Sequence, residues 1–501
     1  MARIGEILRA VTDTVHDPFT SDISGLDAAA PTDAVELADG ARFDLVAGAV
    51  RKRLGDHEVR MLAYNGSIPG PTLRVRQGSS VTIAFRNEAD VPTTVHWHGL
   101  RLDNQYDGVP HGVHRGMQAP IPVGGGFEYR LRFPDPGIYW YHPHVREDYT
   151  QELGLYGNIV VEPTDADYWA PVNREVVVVL DDILLKGRKV APFSRSTSNR
   201  TAMGRYGDVM LVNGETDFVL TARVGEVIRL YLTNTANVRP FNVSIPGARM
   251  KLVGGDGGRV EHERFVTEVL IAPSERAVVD VLFEETGTLP IEHRGPDIVR
   301  PLGSVMVEPI AVDESFVDEF LALRTAAEFE TERARELEGP PDKRLALVAV
   351  MPGMKHGGDH GQHVDIEWED TMQLHNRMTT PANMFWKLVD QETGAENHDI
   401  HWSFEQGERV KLRITNDPHS DHPMQHPFHI HGQRFLVLGR DGRPTDNLVW
   451  KDTVLIRTGE TVDLLVEMSN PGTWMAHCHI AEHLEGGMMM SFAVGGGRTH
   501  G

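Results

Sequence analysis

RQGSSVTIAFRN, residues 76–87, alternates apolar and polar side chains through Val81, Ile83 and Phe85 and is bracketed by Gly78 and Asn87. A period of two marks a half-buried β-strand, and Gly and Asn are residues of its turns. The same spelling returns as RVGEVIRLYLTN at 223–234 and as EQGERVKLRITN at 405–416. A strand recurring three times, Gly before it and Asn at its end, argues for an all-β chain of three β-sandwich units. The 501 residues suffice for this, since about 150 residues make a domain with its own core. The first unit is expected over 36–164, the second over 165–310 (ending near LGSVMVEP) and the third over 345–497. Residues 1–35 carry few strand signals and read as an arm over the first unit. Between the second and third units, Phe316, Phe320, Leu323, Ala327 and Phe329 recur at roughly helical spacing before Gly339-Pro340-Pro341, which predicts a helical linker over 311–344.

The balance of 49 Lys+Arg against 72 Asp+Glu, a net charge of −23, disfavours nucleic acid and anionic membranes as partners, because phosphate binding needs a basic surface. Neutral or cationic small molecules suit it better, and a monomer is expected. No apolar run approaches the roughly 20 residues needed to span a bilayer. The opening MARIGEILRAVTDTV is amphipathic and lacks the apolar core of an export signal, so a cytoplasmic location is expected unless a leader is missing. The lone cysteine, Cys478, excludes an intramolecular disulfide.

Four His-x-His pairs stand out: His96-Trp-His98, His142-Pro-His144, His429-Ile-His431 and His477-Cys-His479. On a strand, residues i and i+2 project to one face, so each pair presents two imidazoles side by side. Two pairs fall in the first unit and two in the third, whereas the second offers only the unpaired His262 and His293. Chance or surface placement would not produce that exclusion. The eight imidazoles, ligands suited to copper, zinc, iron or nickel, are expected to converge between the first and third units.

A second constellation surrounds the cysteine. In HCHIAEHLEGGMM, Cys478, His483 and Met488 offer a thiolate, an imidazole and a thioether, and HPFHIHG adds His426. Two His, one Cys and a weak axial Met form the ligand set of a blue-copper electron-transfer site. Zinc binding or an inert buried thiol would explain Cys478 but not its companions. Because Cys478 lies between His477 and His479 and points to the opposite strand face, electrons arriving at the thiolate have a covalent path into the histidine cluster.

These motifs, HWHG, HPH, HPFHIHG and HCHIAEHLEGGMM, resemble those of the three-domain multicopper oxidases, laccase-like or copper-efflux-oxidase-like. The resemblance runs over about residues 60–495 and includes YNGSIPGPTLRV, LVNG, IAPSER and WKDTV. It implies three cupredoxin-like Greek-key sandwiches, four copper ions per chain, and reduction of dioxygen to water with electrons from a small reductant. By motif it assigns His426, Cys478, His483 and Met488 to a type 1 copper, and His96 and His429 to a type 2 copper. His98, His142, His144, His431, His477 and His479 fall to a type 3 pair.

Reducing dioxygen to water consumes four protons, and the resemblance points to Asp107 in QYDGVP as a relay, the alternative being a turn Asp before Gly. Several bacterial members carry an acid directly after the type 1 histidine, where this chain has Leu484; Glu482 and Glu485 flank it and are expected to point elsewhere. Asp452 in WKDTV reads first as a solvent-facing strand residue and alternatively as an acceptor for a ligand histidine.

The substrate is expected to be a phenol or aromatic amine, with Cu(I) or another low-valent metal ion as the alternative and copper sequestration without turnover as a distant one. A copper nitrite reductase would need its type 1 cysteine in the first domain, which has none. For Cu(I) the run MPGMKHGGDHGQH, with Met351, Met354, His356, His360 and His363, supplies soft ligands, or it is merely a connector. Met372, Met378 and Met384 read as core filler. Electrons are expected to enter through a partly exposed edge of His426 or His483.

Overall fold

The computed structural model describes residues 15, 17–110, 118–330, 332, 339–352 and 365–495. The three repeated segments form the strands Ser80–Glu88, Glu226–Asn234 and Glu408–Asn416. Each occupies the same place in its unit. One flank pairs in parallel with Arg42–Leu54, Arg174–Ile183 or Lys343–Val350, and the other pairs antiparallel with Gly126–Arg132, Arg276–Phe283 or Thr461–Met468.

The repeated spelling has a physical cause at each end. Gly78, Gly225 and Gly407 all have φ between +82° and +88°, a left-handed turn that a side chain would strain, and their N–H groups donate to Phe133, Phe283 and Met468. The closing asparagines are buried, and each Nδ2 ties carbonyls of two neighbouring segments. Asn87 donates to Val91 and Ile121, Asn234 to Arg239 and Ile271, and Asn416 to Met424 and Arg457, all at 2.8–2.9 Å or 2.7 Å. These bonds help satisfy carbonyls at the strand ends, those of Ile121 and Arg457 also accepting from Thr93 and Glu460 N–H.

Each unit stacks this sheet on a five-stranded partner. In the first unit the partner runs Ala34–Leu37, Thr72–Arg76, Gly157–Glu162, Gly137–His142, His96–His98. In the third it runs Trp402–Phe404, Met489–Val494, Gly472–Cys478, His426–Ile430, Thr453–Ile456. Separate apolar cores fill the three units. Smaller cores join them: Met61, Trp140 and Tyr156 pack with Val179, Ile183 and Leu211 between the first and second, and Val109 packs with Met475, Leu484 and Met489 between the first and third.

Two expectations are modified. The arm is tied into the sheets, with Ala34–Leu37 parallel to Thr72–Arg76 and Pro18 bridged to Ser194 of the second unit. The linker is not one continuous helix. It forms a short helix, Val317–Leu321, whose terminal carbonyls at Glu319 and Ala322 accept from buried Lys251 at 3.3 and 3.2 Å. The chain then runs extended, Arg324 bonding Glu263 and Thr325 bridging His262, before Ala326 and Phe329 pack on Leu436, Leu438 and Leu448 of the third unit. No helix among the described residues is long and apolar enough to cross a membrane.

Candidate metal centres

Register places the histidines. His96–His98 lies antiparallel to Gly137–His142 with His96 opposite His142, and His426–Ile430 lies beside Gly472–Cys478 with His429 opposite His477. Residues directly opposed, and residues two apart, share a face. The two faces meet: the His98 and His429 rings stack at 3.8 Å and those of His96 and His431 lie 4.1 Å apart. All eight histidines of the four pairs are buried. Of the second unit's two, His293 accepts from Asn242 N–H at 3.0 Å, and His262 stands half-exposed beside the linker.

The donor atoms form overlapping triads within 4.8 Å: His96, His98 and His429; His98, His142 and His479; His144, His431 and His477; and His96, Asp107 and His431. For most of the rings, hydrogen bonds settle which nitrogen turns inward. His96 and His429 donate through Nδ1 to the Asp107 and Asp452 carbonyls at 2.8 Å, and His142 through Nδ1 to Pro143 at 2.7 Å. Their Nε2 atoms, His98 Nδ1 and both nitrogens of His479 are buried without a hydrogen-bond partner. His431 and His477 donate through Nδ1 to Asp107 Oδ2 at 3.0 Å and the Cys478 carbonyl at 2.9 Å, which leaves their Nε2 lone pairs facing each other across 3.0 Å. The partnerless buried nitrogens of His96, His98, His142, His429 and His479, converging on one another, suit a cation.

Burial also keeps the rings neutral, the form that binds metal. It pushes His477 down to about 4 and holds His98, His142, His429 and His479 well below the usual imidazole range.

On the other face of the Gly472–Cys478 strand, Cys478 Sγ lies 3.4 Å from His426 Nδ1 and 3.6 Å from His483 Nδ1, which are 3.3 Å from each other. A point equidistant from three atoms so spaced is about 2 Å from each, a metal–ligand bond length. Burial raises the Cys478 thiol and lowers His426 to about 3. A bound cation reverses the first effect and needs the second. Met488 is buried in the same core, its N–H bonded to the His483 carbonyl at 3.0 Å and its carbonyl accepting from Cys478 N–H at 3.1 Å.

Acids surround the cluster, and here the sequence reading needs correction. Asp107 is buried and touches His96 and His431, as a cluster acid should. Asp452 is not solvent-facing: it is buried, with Oδ1 accepting from His98 Nε2 at 3.0 Å. Glu147 went unnoticed. Its Oε1 lies 3.1 Å from His144 Nδ1, and burial, then repulsion by Glu485 and Asp148, hold its carboxyl well above the usual range. Only its place three residues after His144 could have signalled it. Of the two acids flanking Leu484, Glu482 accepts from Asn237 Nδ2 at 2.6 Å, and Glu485 is exposed, its charge still helping to raise the Glu147 carboxyl.

The cysteine site is covered. His426 and His483 are both buried, so neither offers the partly exposed edge expected. Trp386 packs over them, and His483 Nε2 lies 3.4 Å from the Ala202 carbonyl of the second unit. Met384 belongs to the core and Met372 packs on it, but Met378 is exposed. Met351 donates through its N–H to Asp421 at 2.8 Å, whereas Met354, His356, His360 and His363 lie outside the described residues.

Three family profiles, each described as Multicopper oxidase, match residues 46–166, 174–288 and 365–498. The chain is 28% identical over 446 residues to "Multicopper oxidase mco" of Staphylococcus aureus, covering 86% of this chain and 83% of that one. It is 28% identical over 499 residues to "Multicopper oxidase MmcO" of Mycobacterium tuberculosis, covering 92% and 90%. Among solved structures, a multi-copper oxidase from Pseudomonas thermotolerans superposes with a TM-score of 0.68 at 26% identity, over 92% of this chain and 100% of that one. Matches along all three sandwiches, over histidine triads able to hold a metal, make this chain a member of the three-domain multicopper oxidases, copper-dependent oxidoreductases that use dioxygen.

Proposed function

We propose that the chain is a laccase-like oxidase with four coppers: one held by His426, Cys478, His483 and Met488, and three by the eight paired histidines. Within the cluster, His96 and His429 would hold the type 2 ion, and His98, His142, His144, His431, His477 and His479 the type 3 pair. Copper at these ligands supplies one-electron redox chemistry at the thiolate and four-electron reduction of dioxygen to water at the cluster. The observation that carries the reading is the Gly472–Cys478 strand, which ends in Cys478 facing His426 and His483 and has His477 turned to the cluster, with His479 next in sequence. The chain's own residues keep both sites dry, hold the imidazoles neutral and, through Asp107 against His96 and His431, place an acid where protons are consumed.

A phenol or aromatic amine is the reductant we assign. Phe385 is exposed beside Trp386, and Leu374 and Met378 are exposed on either side of Asn376, which bonds Met203 N–H at 3.1 Å. Trp386, stacked on His483, offers an aromatic reductant a route through its ring toward the thiolate, whereas Phe385, its neighbour on the strand, faces the opposite way. One observation favours Cu(I) as a second reading: His422 Nε2 lies 3.1 Å from Met203 Sδ, a soft donor pair near Trp386. Steady-state rates on a phenol and on Cu(I), with oxygen uptake recorded, test both in wild type and Met203→Leu. Phenol turnover that survives the substitution supports the first reading. Cu(I) turnover that exceeds it and collapses in the variant would replace it with the second.

A further inference from the structure

Arg276 opens the strand Arg276–Phe283 of the second unit, the unit without paired histidines. Its guanidinium is buried and reaches all three units. Nε donates to Ile138 O of the first at 2.9 Å, Nη1 to Ser274 O of the second at 2.9 Å, and Nη1 and Nη2 to Asp452 Oδ1 and Oδ2 of the third at 2.7 and 2.5 Å. The clamped carboxylate in turn holds ligands from two units. Oδ1 accepts from His98 Nε2 at 3.0 Å and from the Thr453 hydroxyl at 2.9 Å, and the Asp452 carbonyl accepts from His429 Nδ1 at 2.8 Å.

The backbone makes room for this arrangement. A Cβ on Gly99, the glycine of HWHG, would lie 2.3 Å from Asp452 Oδ2 and 2.9 Å from Arg276 Nη2, and Gly99 has φ +84°. The glycine after the histidine pair is thus required by the close approach of the Arg–Asp clamp.

We infer that Arg276 is a positioning residue of the histidine cluster: by fixing Asp452 it sets the ring orientation of His98 and His429, so the second unit helps build a metal centre to which it gives no ligand. The inference rests on reading the eight histidines as copper ligands. A bidentate Arg–carboxylate pair fixes the carboxylate in position and plane, which a single ammonium does not. The outer partner of a ligand histidine fixes its tautomer and orientation. The same sheet supplies a comparison pair. Arg229 clamps Asp280 at 2.8 and 2.9 Å, equally buried, and among the described residues this pair has no bond to a paired histidine.

The test is a chelator competition on the full-length holoenzyme, with cluster copper counted separately from the blue site by its absorption. Arg276→Lys and Asp452→Asn should each loosen cluster copper by about 10–100-fold and leave the blue site unchanged. The double variant should be no worse than either single one, because both remove the same clamp. Arg229→Lys should leave cluster copper unchanged whatever it does to the melting temperature. Cluster copper held as tightly in Arg276→Lys as in wild type, equal loosening by Arg229→Lys, or additive effects in the double variant would overturn the inference. Should Arg276→Lys fail to fold, Asp452→Asn against Arg229→Lys decides in the same way. A wild-type chain holding no copper at the cluster would instead sink the oxidase reading itself.

Discussion

Trp386 lies flat over His483, ring centroids 3.9 Å apart and planes 28° from parallel, and is itself held by a bond from Nε1 to Thr201 O at 2.7 Å. The imidazole through which electrons would reach the thiolate is therefore sealed under an aromatic ring. A reductant would work through the indole or its surroundings without touching the imidazole.

Replacing the cover should change substrate range more than chemistry. Trp386→Ala is expected to raise kcat/KM for bulky phenols several-fold by uncovering His483, at a stability cost of about 3–5 kcal/mol for the emptied core. Trp386→Phe keeps a ring in place and should stay close to wild type in both. Steady-state kinetics with phenols of graded size, beside thermal unfolding, check this. Equal rates for all phenols in Trp386→Ala would show that access to the imidazole does not limit turnover.

Cys478→Ser should abolish the intense blue absorption and electron entry while cluster copper remains, because an alcohol is a poor soft ligand and the eight histidines are untouched. Absorption spectra and copper counts on the purified variant decide it. A variant that stays blue contradicts the assignment of the thiolate.

Asp107→Asn should slow dioxygen reduction by at least about 10²-fold and leave reduction of the blue site nearly intact, since Asp107 touches His96 and His431 but neither His426 nor His483. Stopped flow times the two half-reactions separately. Equal slowing of both would assign Asp107 to structure alone.

The repeated asparagines predict a separation of stability from function. Asn416→Ala removes a donor from the carbonyls of Met424 and Arg457, of which Arg457 keeps the Glu460 N–H, and should cost about 1–3 kcal/mol. Met424 stands two residues before His426, so the blue absorption should weaken with it. Asn234→Ala breaks the equivalent bonds in the second unit, with a similar cost and no change in colour. Unfolding curves and spectra of the two variants check this, and matched colour loss in both would contradict it.

Copper removal should make the protein acid-labile. The folded chain holds His426 near 3 and His477 near 4, below the 6.5 of an unfolded imidazole, so the unfolded state binds more protons as pH falls. The stability these groups support is present above pH 6.5 and is lost progressively between 6.5 and those lower values. Denaturation of the copper-free protein across that window should show a steep loss that copper-loaded protein resists. A flat profile would mean that the folded chain takes up protons on these rings as readily as the unfolded one.

The strand repeats and the donor inventory could be read in the sequence because both are local. A period of two, a Gly that takes positive φ and an Asn that closes the strand are written within twelve residues, and a His-x-His on a strand must show both rings on one face. What the tertiary structure decided is everything that depends on pairs distant along the chain. His98 and Asp452 are 354 residues apart and Arg276 and Asp452 are 176 apart, so WKDTV alone read as surface. Burial is likewise a property of the assembled units. His426 and His483 are sealed because Trp386 and the second unit's Ala202 fold over them, and the carboxyl of Glu147 rises chiefly because it is buried there, then because Glu485 and Asp148 repel its charge. Local spelling sets which groups can bind copper, whereas desolvation and orientation arise from surfaces that meet only once the three sandwiches pack.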